Sequence, residues 1–502
     1  MTIVATPLSE QAEKVLNHRY FLKDTEGEVI EDGDAMFRRV AKAIAAVDET
    51  YVLLPVEAEL AEKDFYDIMS KLEFVPNSPT LMNAGTEQGT LSACFVLPLE
   101  DSMEGIMKAC HDSAMVQKFG GGTGFSLSKI RPKGDIIKTT HGIACGPIEV
   151  LKTLSRVSSM ITQGGKRDGA NMAVMSVYHP DILDFISCKS VEGDIHNFNI
   201  SVGVDSDWMV AVKNSSDYNL VNPHTNQIVG KLNAREVFDA IIAGAWKNGE
   251  PGMIFLDEVN RDNHVIEEHG EMIATNPCGE QPLLPNESCN LGSINLAKFV
   301  TSNDGQIEES AWEEHIDWER LEKVTRLATR FLDNVIDANY YATPEIEAMT
   351  KSTRKIGLGV MGFSDLLIQL RVAYNSEVGR TIGGTVMASI RRWSDSESIR
   401  LAEQRGTFPS WDQSNYNRET EAYRNHCRLT VAPTGTISMI ADTASGIEPT
   451  FALVWKKQNI LDGQSVNYVN KYFEQDAKEY GFYSEELMDY LSMGGSLTDA
   501  PM

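Results

Sequence analysis

In the stretch "ATNPCGEQPLLPNESCNLGSINL", two cysteines, Cys278 and Cys289, have surroundings that could do chemistry. They lie eleven residues apart, too far for a CxxC redox or zinc hairpin. Prolines flank Cys278, which disfavours helix and favours extended backbone. In an extended segment residues i, i+2 and i+4 point to one side, so Asn276, Cys278 and Glu280 would share a face. An amide, a thiol and a carboxyl together supply a hydrogen-bond donor, a sulfur reagent and a general acid or base. The same spacing also fits a proline-rich loop around an inert cysteine.

The chain has seven cysteines, Cys94, Cys110, Cys145, Cys188, Cys278, Cys289 and Cys427. Their number is odd and their spacing scattered, so they do not form a secreted disulfide framework. None has a ligand-spaced neighbour, so no metal site is expected. The histidines include no H-E-x-x-H pair. Glycine-rich "KFGGGTGFS" and "QGGKRDGAN" would let backbone amides approach a phosphate or base, but neither is a P-loop. "KIGLGVMGF" contains G-x-G-x-x-G without a hydrophobic strand before it, which argues against a dinucleotide fold. "APTGTISMIAD" reads as a strand, a Thr/Gly turn and the start of a helix, where Thr434, Thr436 and nearby amides could hold a phosphate.

These residues must be positioned by a large frame. At 502 residues the chain can build an extensive core. A formal charge of −27 argues against non-specific nucleic-acid binding. No apolar run reaches membrane-span length and the start lacks a signal-peptide pattern, so a cytoplasmic protein is expected. Residues 1–88 read as helical, as in "DGDAMFRRVAKAIAAVDETY" and "LAEKDFYDIMSKLEFV". Beyond them, "LSACFVLPLE", "MAVMSVY", "NFNISVGV", "GMIFLD" and "RLTVAPTG" read as strands. They alternate with helical stretches such as "AREVFDAIIAGAWKNG" and "WERLEKVTRLATRFLDNVIDANYY". That alternation implies an α/β architecture with a mostly parallel sheet.

Seven segments, taken in order, resemble the catalytic chain of ribonucleotide reductases: "NSPTLMNAGT", "LSACFVLPLEDSMEGI", "GGGTGFSLSKIRPKG", "GGKRDGANMAV", "NPCGEQPLLPNESCNLGSINL", "RKIGLGVMGFSDLL" and "APTGTISMIADTASGIEPTFAL". "NPCGE", "PTGT" and "GIEP" are similar to the class II, adenosylcobalamin-dependent branch. The resemblance implies a ten-stranded α/β barrel of two antiparallel five-stranded halves over residues 89–502, after a helical region at 1–88. It implies reduction of ribonucleotides, with diphosphates favoured, by a thiyl radical on Cys278. Glu280 and Asn276 would hold the ribose hydroxyls, and Cys94 and Cys289 would supply the electrons. Substrate would be bound by Asn77, Ser78, Thr80, Ala93, Gly122, Pro433, Thr434, Gly435 and Thr436. Lys166, Arg167 and Asn171 would belong to the loop that senses the base. Asp101, Ser102 and Arg131 would bind a deoxynucleoside triphosphate effector near the interface of a homodimer. A thioredoxin-like protein would restore the thiols.

The pattern departs from the family at both ends. No ATP-cone extension precedes the helical region, and the last barrel strands and a cysteine-bearing tail do not follow "GIEP" before "GGSLTDAPM". The expectation is a split gene, with a second polypeptide completing the barrel, or a fragment. Rival readings are a catalytic chain activated by a separate metalloprotein subunit, and a nucleotide-binding regulatory fragment.

Overall fold

The computed structural model describes residues 7–51, 55–87, 89–137, 141–163, 167–191, 193, 195–301, 309–416, 422–461 and 464–500. Helices Glu10–Arg19, Gly33–Ala45 and Pro55–Ser70 open the chain. The second starts where the Asp32 side chain accepts the Ala35 N–H, and it buries Met36, Phe37, Val40 and Ile44 along one stripe. The helix expected through "LEFV" stops at Ser70. Leu72 takes a positive φ of 57°, and strand β1 (Phe74–Pro76) follows and joins the main sheet.

Five strands come next: β2 (Cys94–Val96), β3 (Gly122–Ser126), β4 (Asn171–Ser176), β5 (Phe198–Val204) and β6 (Gly252–Phe255). Each lies parallel to the one before it. Helical crossovers, such as Met103–Gln117 and Ala234–Asn248, make that direction possible. A short hairpin of β7 (Ala274–Thr275) and β8 (Pro282–Leu283) interrupts the series. Strand β9 (Ser288–Asn295) is buried along its whole length. It runs antiparallel to β1 and β2 and parallel to β10 (Ile356–Met361). One half of the expected barrel is thus present as five parallel strands, with an opposed set beginning at β9.

The main sheet of the described residues does not have ten strands. The sheet has eight, in the order β1-β9-β2-β3-β4-β5-β6 with β10 on β9. "RLTVAPTG" contributes only an isolated parallel bridge, Leu358 to Leu429. The reason is local: the N–H groups of Ile356 and Leu358 reach the successive carbonyls of Cys427 and Arg428. Two residues of one partner therefore face one step of the other, and a regular ladder cannot continue.

The N-terminal helices are tied to the sheet by buried charge. Asp333, on the Trp318–Ala338 helix, is fully buried. It accepts from Arg354 Nε at 3.0 Å, Arg405 Nη1 at 3.1 Å and Asn425 Nδ2 at 2.9 Å. Arg405 also bonds Asp48, just past the second helix, and Asp48 accepts from Arg330 Nη2 at 2.7 Å. Burial alone would raise the Asp333 pKa, but the guanidiniums of Arg354, Arg424 and Arg405 outweigh it and hold the pKa at about 2. A depressed carboxylate pKa gives stability that is complete above the unfolded value near 3.9 and is lost as pH falls toward 2. The shift corresponds to about 2 kcal/mol. Asp333→Asn leaves buried guanidiniums without their counter-charge. It is expected to cost on the order of 3–5 kcal/mol in denaturant unfolding at pH 7, with the loss shrinking below pH 3. An unchanged midpoint at pH 7 would remove this network from the stability of the fold.

Candidate active site

The hairpin β7–β8 carries the opening motif at its tip. Thr275 pairs with Pro282, and residues 276–281 form the loop between the strands. The extended alternation expected for Asn276, Cys278 and Glu280 is not what forms. The Gly279 N–H closes a turn onto the Asn276 carbonyl at 3.1 Å, and Gly279 has φ +86°. The Asn276 side chain secures the turn, its Oδ1 accepting the Gln281 N–H at 3.0 Å. The three side chains still gather, but at different depths: Asn276 is buried, Glu280 half-buried and Cys278 exposed.

Two glycines of β3 let the hairpin lie on the sheet. A Cβ on Gly124 would stand 1.8 Å from the Thr275 carbonyl oxygen, and one on Gly122 would stand 2.7 Å from Pro277 Cγ. Gly122 and Gly124 are therefore the space in which the hairpin rests. In "KIGLGVMG", Gly357 does similar work, since a Cβ there would meet Leu291 and Gln281 side-chain atoms at 2.4 and 2.6 Å. A buried ion pair holds the far arm: Lys355 Nζ donates to Glu287 Oε2 at 2.9 Å and to the Pro282 carbonyl at 3.1 Å. Nothing in the sequence marked Lys355 or Glu287.

Beneath the tip, Cys94 of β2 lies directly opposite Cys289 of β9. Directly opposed residues have Cβ atoms about 4.5–5.5 Å apart, within small adjustment of disulfide geometry. Both are buried free thiols. Asn276 Nδ2 donates to Cys94 Sγ at 3.2 Å, and Cys94 Sγ donates to Glu280 Oε1 at 3.9 Å. Burial pushes the Cys94 thiol well up, and negative charge on Glu280, Cys289 or Cys278 would push it further. Burial likewise raises Cys289 well above an ordinary thiol, against the pull of Lys355. Burial also raises the Glu280 carboxyl. Glu280 Oε2 is buried with no protein partner, a free acceptor at the edge of the site.

The remaining residues singled out in the sequence fall around this centre unevenly. Asn77 is the N-cap of the Ser78–Asn83 helix; its Oδ1 accepts from Thr80, and its buried Nδ2 has no partner. The Thr80 hydroxyl is spent on Asn77 and the Leu91 carbonyl, while Ser78 pairs with the Tyr20 hydroxyl at 2.7 Å. Ala93 and Gly122 are half-buried neighbours of the thiol pair. In the 433–436 turn, Thr434 has φ +54° and its hydroxyl accepts the Gly446 N–H, while Pro433 and Gly435 are exposed. Thr436 precedes a short Ile437–Ile440 helix without capping it through its side chain.

Lys166 and the side chain of Arg167 lie outside the described residues. Asn171 is buried, accepting from Gln117 and Thr123 at 2.6 Å and donating to Ser158 Oγ at 3.0 Å. It anchors the end of its loop. Asp101 and Arg131 form an ion pair at 2.8 Å beside Ser102, which caps the Met103–Gln117 helix. His224 adds a ring nitrogen 3.7 Å from Asp101, from a turn that sequence reasoning missed. Two cavities lie away from Cys278. One of about 340 Å³ sits between Ser438–Ala452 and Val469–Lys471, and one of about 490 Å³ lies among Ala43, Asn83 and Asn339. Cys278 is exposed, and beyond its chain neighbours nothing lies within 4 Å of where a Cβ on Gly279 would be.

Residues 92–501 match the family "Ribonucleotide reductase, barrel domain", and residues 6–89 match "Ribonucleotide reductase, all-alpha domain". A vitamin B12-dependent ribonucleoside-diphosphate reductase of Thermoplasma acidophilum is 45% identical over 98% of this chain and 69% of its own length. One from Mycobacterium tuberculosis (strain ATCC 25618 / H37Rv) is 42% identical over 98% of this chain and 68% of its own. A ribonucleoside-diphosphate reductase subunit alpha of Chlamydia trachomatis is 28% identical over 96% of this chain and 51% of its own.

The burial pattern predicts graded thiol reactivity. Brief alkylation of the native chain, mapped by mass spectrometry, is expected to label Cys278 and Cys145 and to spare Cys94 and Cys289 until denaturant is added. Equal labelling of Cys94 and Cys278 in the folded chain would contradict this arrangement.

Proposed function

Because this chain belongs to the ribonucleotide reductase large-chain family, we propose that the thiols around the β7–β8 hairpin are its reaction centre. The chain is an adenosylcobalamin-dependent oxidoreductase that reduces ribonucleoside diphosphates to 2′-deoxyribonucleotides. One observation carries the assignment of residues: an exposed cysteine on the hairpin tip shares its loop with a carboxyl that touches one member of a buried, directly opposed thiol pair and keeps its other oxygen without a protein partner.

The chain fits its cofactor at one point that can be tested on the structure. Cys278 is exposed, and above Gly279 no atom lies within 4 Å of where a Cβ would be, so a bulky group can approach the tip. Adenosylcobalamin would supply the radical that removes the hydrogen atom of the Cys278 thiol. The chain's own residues do the rest. A thiyl radical on Cys278 takes the 3′-hydrogen atom of the ribose. Glu280 accepts the 3′-hydroxyl proton through the oxygen that has no protein partner, and Asn276 orients the sugar. The raised thiol pKa values keep Cys94 and Cys289 protonated at neutral pH, so they can deliver hydrogen as the 2′-hydroxyl leaves as water. The pair closes as a disulfide, Cys278 returns its hydrogen to the 3′ carbon, and an external dithiol reopens the disulfide by exchange.

Nucleotide substrates and effectors follow from the family. In the finer reading, Asn77 and Ser78, held in place by the buried Thr80 hydroxyl, and the Pro433–Thr436 turn hold substrate phosphates, with Ala93 and Gly122 beside the sugar. The loop of Lys166, Arg167 and Asn171 reads the base. Asp101, Ser102 and Arg131 take a deoxynucleoside triphosphate at a homodimer interface, and a thioredoxin-like protein serves as reductant in the cytoplasm. No helix among the described residues is long and apolar enough to cross a membrane.

Incubation with adenosylcobalamin, dithiothreitol, a ribonucleoside diphosphate and an effector is expected to yield deoxynucleotide. Turnover only with an added metalloprotein would favour activation by a separate subunit, and nucleotide binding without turnover would favour a regulatory chain. Cys278→Ser is expected to abolish product while nucleotide binding, read by equilibrium dialysis, persists. Cys94→Ser or Cys289→Ser should stop repeated turnover with a dithiol. The raised Glu280 pKa places the acid limb of the kcat profile above the ordinary carboxylate range, activity rising as Glu280 deprotonates. Glu280→Gln should flatten that limb and lower kcat by roughly 10²–10⁴-fold; a limb unchanged in this variant would assign the titration elsewhere.

A further inference from the structure

The catalytic loop is tied at both shoulders by side chains that come from opposite sides of the sheet. Cross-strand register puts Val96, Gly124, Met172 and Asn199 in one row across β2, β3, β4 and β5. Val96 and Met172 belong to the small inner cluster that also holds Cys94, Cys289 and the hairpin residues Ala274 and Leu283. Asn199 is the polar end of that row, an exposed position in an otherwise buried strand. Its Nδ2 donates to the Pro277 carbonyl at 2.7 Å. Pro277 immediately precedes Cys278, and its ring rests over Gly122.

The other shoulder is held from the Leu429 side. The Thr430 N–H donates to the Leu358 carbonyl of β10 at 3.0 Å, which fixes its backbone. Its Oγ1 donates to the Glu280 carbonyl at 2.9 Å. Thr430 lies three residues before Pro433, at the head of the turn read as the phosphate site. Both ties end on main-chain carbonyls, so they fix the loop without occupying the Cys278 thiol or the free Glu280 oxygen.

We propose that Asn199 and Thr430 are positioning residues for the reaction: a two-sided clamp that sets the height and direction of Cys278 over the sugar and of Glu280 beside it. This rests on the reading of Cys278 as the hydrogen-abstracting thiol. Hydrogen-atom transfer requires near-contact of sulfur and carbon, and a displacement of about 1 Å can cost 10²-fold in rate. Between the two ties lie only Cys278 and Gly279, and Gly279 is the residue most able to change conformation. Without the ties the loop keeps its hairpin base, held by the Thr275–Pro282 pairing and Lys355, but loses the reference that places its tip.

The test uses near-isosteric variants of the full chain reconstituted with adenosylcobalamin. Asn199→Asp removes the N–H donor, Thr430→Val removes the hydroxyl, and Thr430→Ser restores it. Loss of either donor is expected to lower kcat by roughly 10–100-fold while KM for the diphosphate stays within about threefold. The deuterium isotope effect with 3′-deuterated substrate should rise, because abstraction becomes the slow step. Thr430→Ser should recover most of the rate. Hydrogen exchange read by mass spectrometry should speed in residues 276–281 and not in β9. Unchanged kcat and isotope effect in the Asn199→Asp, Thr430→Val double variant would overturn the clamp. So would a rate loss matched by lowered Tm and raised KM, with the isotope effect unmoved. If Cys278→Ser leaves the turnover of the parent chain unchanged, the reading of Cys278 falls, while loop exchange still decides whether the two ties hold it.

Discussion

The Thr275 carbonyl lies where a Cβ on Gly124 would be, and this steric constraint governs the site. Any side chain larger than hydrogen at that position would lift the hairpin off β3. Lifting the hairpin would carry Cys278 away from Cys94, separate Glu280 from the same thiol and break the Asn276 bond to it. Gly122 and Gly124 are thus a negative impression of the hairpin, and at these two positions lack of volume is what matters.

On this support the site separates charge from radical chemistry by depth. Cys94 and Cys289 are buried where a thiolate is costly, so their hydrogens stay on sulfur. Cys278, one loop above them, is exposed and open to a partner too large to enter. Glu280 lies against Cys94, buried enough for its pKa to rise, and with one oxygen left without a protein hydrogen bond. A ligand hydroxyl would complete that shell.

The wider frame transmits order to this centre through few connections. The Asp333 cluster joins the N-terminal helices to Arg354, at the start of β10, and to Arg424 and Asn425. Asn425 leads directly into the segment that bears Thr430 and the 433–436 turn. The same buried electrostatic cluster thus anchors the helical region and the chain that leads to Thr430.

The sequence determined the chemistry on offer: which thiols, amide and carboxyl were present, the order of their motifs, and the helices whose caps and apolar stripes are local properties. It also marked the alternation of strand and helix that became the five parallel strands. Contacts between distant parts of the chain were not legible. The turn at Gly279 replaced the expected alternation of side chains because the loop closes on itself and against β3. "GLGVMG" matched a glycine fingerprint without its strand context, and it is itself strand, where a Cβ on Gly357 would press on the Leu291 and Gln281 side chains. Asn171 turned inward to a buried polar network. The opposition of Cys94 and Cys289 and the place of Asn199 were decided by strand register, and the unpaired oxygen of Glu280 and the tie from Thr430 by the packing of loops over the sheet. Register depends on how whole faces pack, and no single stretch of residues encodes it.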